Sequence, residues 1–89
     1  MTRRDWPAWW AWELELSAHV LKRMEDRGFN EVELRRMLEH AGGHRLDILE
    51  GRFVIEARHG GQPWEVIVEP DDRTQFLVVI TAYPLEKEP

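Results

Sequence analysis

Several side chains in this sequence could move protons or hold a phosphate, and their spacing groups them. His19, Arg23 and Arg27 recur every fourth residue, so on a helix they form one stripe that drifts only about 40° per step. Glu56 and Arg58 are two apart, as are Thr81 and Tyr83, and on strands each pair shares a side. Arg52 falls on the Glu56 side of its strand. This set fits acid–base chemistry on a phosphodiester. Cleaving RNA needs a base for the 2′-hydroxyl proton, an acid for the leaving oxygen and cations for the charge growing on the phosphate. His19 or Glu56 could be the base or the acid, and Arg23 and Arg58 could hold the phosphate in bidentate fashion. Tyr83 could add a hydrogen bond, with Arg27, Arg52 and Thr81 contacting substrate. Each residue also has a structural reading. His19 could be a partly buried helix residue bonded to the backbone, and Arg23 with Glu56, or Arg58 with Glu65, could be plain ion pairs.

Other chemistries fit less well. The histidines stand at 19, 40, 44 and 59 with no ligand spacing, and Gly42-Gly43 should break the helix that would align His40 with His44. No metal or cofactor is expected. Ser17 is the only serine and is needed as a helix cap. Gly60-Gly61 lacks the Lys-Ser/Thr and the helix of a phosphate-cradling loop.

Two helices and a sheet must position these residues. Ser17 can cap a helix that Gly28 closes, with Val20, Leu21 and Met24 on its apolar face. Asn30 and Glu33 form a capping-box pattern ahead of Val32, Leu34, Met37, Leu38 and Ala41, and Gly42-Gly43 ends the second helix. The period then changes to two. Arg45–Leu49, Arg52–Arg58, Trp64–Glu69 and Phe76–Tyr83 read as strands. Their connections are too short for crossover helices, which predicts an antiparallel meander. Phe53, Ile55, Ala57, Trp64, Val66, Val68, Phe76, Val78 and Ile80 should form the apolar face. Arg52, Glu56, Arg58, Glu65, Glu69, Leu77, Val79, Thr81 and Tyr83 should line the other.

Ahead of the first helix, Trp6, Trp9, Trp10 and Trp12 are four of five tryptophans. They could cover an open face of the fold, form a partner or dimer interface, or stack on bases. Trp12, Leu14 and Leu16 alternate with Glu13 and Glu15, as in a short strand or an extended arm.

The whole chain of 89 residues is long enough for one core and too short for two. It divides into a Trp-rich arm 1–16, a helical part 17–42, a sheet 44–84 and a loose tail 85–89. The charge is −5, and because residues 1–45 carry eight basic and eight acidic side chains, the acid excess lies wholly in 46–89. That argues against non-specific nucleic-acid binding, and DNA is not expected as a partner. Zero cysteines exclude a disulfide framework. The apolar run Trp6–Trp12 is interrupted by Pro7 and too short for a membrane span or a signal peptide, so a cytoplasmic location without membrane contact is expected.

Several ordered motifs carry a resemblance. His19-x-x-x-Arg23-Met24-x-x-Arg27-Gly28, Gly51-Arg52-Phe53-Val54, the strand end Glu56–Gly61, Trp64–Val68 and the closing Leu77–Pro84 together resemble the small bacterial family named domain of unknown function 4258, over about residues 16–84. The resemblance implies an α+β fold of the barnase, colicin E5 and RelE-like (BECR) group: two N-terminal helices packed on a four-stranded antiparallel β-meander. It also implies a metal-independent endoribonuclease of toxin type, with RNA as substrate and a cognate antitoxin or immunity protein as partner. His19, Arg23, Glu56, Arg58 and Tyr83 are the residues it carries over. The acidic second half departs from the basic character of ribosome-dependent toxins in that group. The rival reading is a non-catalytic domain of the same fold, using the tryptophan arm and the polar sheet face to bind a protein partner or to self-associate as a homodimer.

Overall fold

The computed structural model describes residues 6–85. The expected loose tail therefore lies outside the described residues except for Leu85, whose N–H is held by the Pro63 carbonyl at 2.9 Å. Residues 1–5 of the tryptophan arm also lie outside them.

A 3-10 turn, Ala8–Ala11, leads into strand β1, Glu13–Leu16. Helix α1, Ala18–Arg27, follows at once, started by Ser17, whose side chain accepts the Val20 N–H. Gly28 ends it with φ of 71°, a left-handed conformation in which glycine has no Cβ to clash. Helix α2, Glu31–Glu39, begins with a complete capping box between Asn30 and Glu33. Strands β2 (Gly43–Leu46), β3 (Phe53–His59), β4 (Gln62–Asp71) and β5 (Phe76–Pro84) complete the chain. Gly60 and Gly61 both have positive φ, the requirement of the tight turn joining β3 to β4.

The sheet order is β1-β5-β4-β3-β2. Strands β2 to β5 pair antiparallel in sequence, but β1 lies parallel to β5, with Leu14 beside Leu77 and Leu16 beside Val79. The expected four-stranded antiparallel meander behind two N-terminal helices, RelE- or barnase-like, is thereby corrected to a five-stranded mixed sheet in which a strand precedes both helices. The alternation of Leu14 and Leu16 was visible in the sequence. What local pattern could not supply was the partner, since β5 is some sixty residues away and becomes available only when α1 folds back over the sheet.

A second correction concerns β5. Between the pairs Ile67–Thr81 and Val68–Val79 the ladder skips Ile80. This β-bulge adds one residue on β5 and reverses the side taken by everything on one flank of it. Leu77 and Val79, expected on the polar side, are therefore buried in the core, whereas Phe76 and Val78 pair with Asp71 and Glu69 on the opposite side. Beyond the bulge Thr81 and Tyr83 keep the polar side, and Ala82 enters the core.

The core lies between the helices and one sheet face. Val20, Leu34, Met37 and Leu38 pack with Ile55, Val66, Val68, Leu77 and Val79. Trp6, Trp9, Trp10 and Trp12 pack half-buried against this cluster, Trp9 over Phe53 at 4.8 Å and Trp6 over His44 at 4.6 Å between ring centroids. They extend the cover that the two short helices leave incomplete. Among the described residues no helix is long and apolar enough to cross a membrane.

Candidate functional site

The face of the sheet turned away from the helices carries the polar residues, and its cross-strand rows set their neighbours. Tyr83, Glu65, Glu56 and Gly43 form one row over four strands, and Thr81, Ile67, Val54 and Arg45 form the next. Two glutamates facing each other in adjacent strands repel. Arg45 reaches over from its row and bridges them, at 2.6 Å to Glu56 and 2.6 Å to Glu65. Tyr83 donates its hydroxyl proton to the other Glu65 oxygen at 2.7 Å. The absence of a side chain at Gly43 leaves space for Glu56: a Cβ there would stand 2.8 Å from the Glu56 Oε1.

The electrostatics follow from these contacts. The hydrogen bond to the Glu65 carboxylate, with burial and the same negative charge, pushes the Tyr83 hydroxyl up to about 12. Burial alone would raise Glu65, but hydrogen bonds from Arg45 and Tyr83 and the Arg45 charge outweigh it and lower this carboxyl. The hydrogen bond to Glu65 raises Arg45 despite some desolvation. At neutral pH the Tyr83 phenol is therefore a donor locked in its protonated form.

Beside this network is a pocket of about 380 Å³ at the end of α2, against the β3–β4 hairpin; its walls include His40, Glu56, Arg58, Trp64, Glu65 and Leu85. A second, of about 220 Å³, is lined by Glu33, Arg36, His40, Arg58, His59 and neighbouring atoms. His40 and Arg58 belong to both, so the two form one winding cleft. Arg58 is held by a hydrogen bond to the Gly61 carbonyl at 3.1 Å. His59 lies 3.8 Å from the Glu33 carboxylate and edge-on to Trp64 at 5.4 Å.

The expected site residues divide between the two sides of the sheet. Glu56, Arg58 and Tyr83 are on the polar side, Glu56 and Arg58 in the cleft wall and Tyr83 joined to it through Glu65. Arg52, also there, pairs with Glu69 at 3.1 Å, and Thr81 is half-buried opposite Ile67. His19 and Arg27 are exposed and Arg23 half-buried on α1, the helix whose Val20 and Met24 face the core on the other side. Neither His19 nor Arg23 lines the cleft. Neither anticipated ion pair, Arg23 with Glu56 or Arg58 with Glu65, occurs among the described residues; Arg45 takes both glutamates instead.

Sequence reasoning missed His40, Arg36, Arg45, Glu65 and His59 as site residues. A usable signal existed for His40, which stands at the end of α2 just before Gly42-Gly43, where a helix must release its last side chain toward the next element. Among the described residues no group of three or more His, Asp or Glu is placed to hold a metal ion.

Compared with known proteins, residues 16–84 match the family described as Domain of unknown function (DUF4258). No curated protein and no solved structure matches the chain. With most of its length matched, the chain belongs to the DUF4258 family.

Proposed function

We propose that this member of the DUF4258 family is a metal-independent endoribonuclease of toxin type, working in the cleft between the end of α2 and the β3–β4 hairpin. The observation that carries the reading is that an imidazole, a carboxylate and a guanidinium, His40, Glu56 and Arg58, line one pocket. In this reading Glu56 takes the proton from the ribose 2′-hydroxyl, and the 2′-oxygen forms a bond to the neighbouring phosphorus. As the bond from phosphorus to the 5′-oxygen breaks, protonated His40 delivers a proton to that oxygen. The products are a 2′,3′-cyclic phosphate and a free 5′-hydroxyl. Arg58, with Arg36 from the adjoining pocket, balances the charge on the phosphate. His19, Arg23 and Arg27 then lie outside the reacting centre. Such an enzyme would act in the cytoplasm, where its RNA is, and would be restrained by an antitoxin or immunity protein.

The test is incubation of purified protein with mixed RNA in excess chelator, followed by end-group analysis. Cyclic-phosphate ends are expected, with His40→Ala and Arg58→Ala each lowering the rate by roughly a hundredfold and His19→Ala leaving it unchanged. Intact RNA from folded protein, or cleavage that needs His19 and ignores His40, would overturn the reading. Induced expression carries the same comparison into cells, where growth arrest should require His40 and Arg58.

One observation favours the non-catalytic alternative, a protein-interaction domain: Glu56 is already hydrogen-bonded to Arg45, as a structural carboxylate would be. Removing Arg45 separates the two readings. An interaction domain loses only stability, whereas a catalytic Glu56 shows a changed pH profile of cleavage.

A further inference from the structure

The sheet ends at β2, and the outer side of this strand is open. The Asp47 N–H donates to the Arg52 carbonyl at 2.9 Å, continuing the β2–β3 ladder. In an antiparallel ladder inward and outward residues alternate, so Gly43, Arg45 and Asp47 turn their backbone groups toward β3. His44 and Leu46 turn theirs outward, and no described residue pairs with them. Large aliphatic side chains surround this bare edge: Leu46 is 73%, Ile48 99% and Leu49 57% exposed. An unpaired edge without proline and flanked by exposed aliphatics is a template for another strand.

We propose that the occupant is the β2 edge of a second copy of this chain, paired antiparallel about a two-fold axis at Leu46. Charge selects the register. Pairing His44 with Leu46 of the other copy would put Arg45 against Arg45. Moving the axis to Leu46 sets Leu46 against Leu46 and Arg45 against Asp47 on both sides, with His44 beside Ile48. Both registers use the outward backbone groups, but only the second joins opposite charges. Arg45 and Asp47 then form a non-hydrogen-bonded pair, in which side chains approach most closely. The two five-stranded sheets become one of ten strands, and the exposed aliphatics are covered. The inference is independent of whether the cleft cuts RNA.

The experiment is sedimentation of the full chain from about 1 to 200 µM, a range over which a mass-action dimer changes population, combined with single-cysteine crosslinking. The chain has no cysteine, so an introduced one is alone. Leu46→Cys places two thiols across a hydrogen-bonded pair, about 5.5 Å between Cα atoms, within disulfide reach. Ile48→Cys, although more exposed, places them about 13 Å apart, four strand steps. Dimer at the higher concentrations is expected, with Leu46→Cys crosslinking much faster than Ile48→Cys. Asp47→Lys should weaken association about tenfold, equivalent to one like-charge contact of about 1.4 kcal/mol. A monomer at every concentration, equal crosslinking at the two positions, or a dimer indifferent to both Asp47→Lys and Ile48→Glu would overturn the proposal.

Discussion

Glu56 and Glu65 face each other across β3 and β4, and the Arg45 guanidinium bridges both at 2.6 Å. Two like charges occupy adjacent positions because a third residue, from the next row on the edge strand, supplies the compensating charge. The polar sheet face is therefore a connected unit of Arg45, Glu56, Glu65 and Tyr83 that forms one side of the cleft.

Tyr83 reports on this unit directly, because it is the only tyrosine in the chain. Its hydroxyl is raised to about 12 from an ordinary value of about 10, so its contribution to stability is complete below about pH 10. That contribution is lost as pH rises toward 12, because the unfolded chain gives up the proton first. Absorbance titration of tyrosinate should give a midpoint well above 10 in the folded protein and near 10 in urea. A folded midpoint near 10 would show that the Glu65 contact is absent in solution.

Arg45→Met should destabilise the fold by about 1–2 kcal/mol, because Glu65, with a side chain only 14% exposed, keeps a charge that has lost its main partner. Adding Glu56→Gln should recover part of the loss by removing the opposed charge. Urea unfolding of the single and double variants gives the coupling. Glu65 is lowered in the folded protein, so its contribution is present above the ordinary carboxylate range and lost as pH falls through the folded value. In Arg45→Met the acid-side loss should begin at higher pH.

Ser17→Ala should cost about 1–2 kcal/mol by urea unfolding, at the upper end for a helix cap. The Ser17 hydroxyl accepts the Val20 N–H at 3.1 Å and also donates to the Ile80 carbonyl at 2.8 Å, so one oxygen both starts α1 and pins the bulged residue. Ser17→Asp keeps an acceptor for the helix but has no proton to donate. It should recover only part of the stability, and full recovery would show that the bulge contact contributes nothing.

Gly43→Ala should leave the fold intact and disconnect Glu56. The added methyl meets the Glu56 Oε1 at 2.8 Å, and the flexible carboxylate moves more easily than the strand. The expected sign is a small loss of stability, under about 1 kcal/mol, with Glu56→Ala costing nothing further in that background. An additive double mutant would place the Glu56 carboxylate elsewhere.

Much of this protein was legible locally. Ser17 and Gly28 bound α1, and Asn30 with Glu33 starts α2, because caps are set by residues within a few positions of each other. The strands appeared as period-two segments because alternation follows from the pleat, and the family motifs fell on these same elements. The tertiary structure decided which strands meet and which faces they present. The parallel pairing of β1 with β5 joins segments separated by both helices and three strands. The extra residue at Ile80 sends Leu77 and Val79 inward while keeping Thr81 and Tyr83 with Glu65, a choice that depends on whether Leu14 and Leu16 lie beside them. The stripe His19, Arg23 and Arg27 is real on α1, but α1 packs on the side of the sheet away from Glu56 and Tyr83. Spacing along a chain determines which residues share a face of one element; only burial of the combined apolar surfaces determines which faces look at each other.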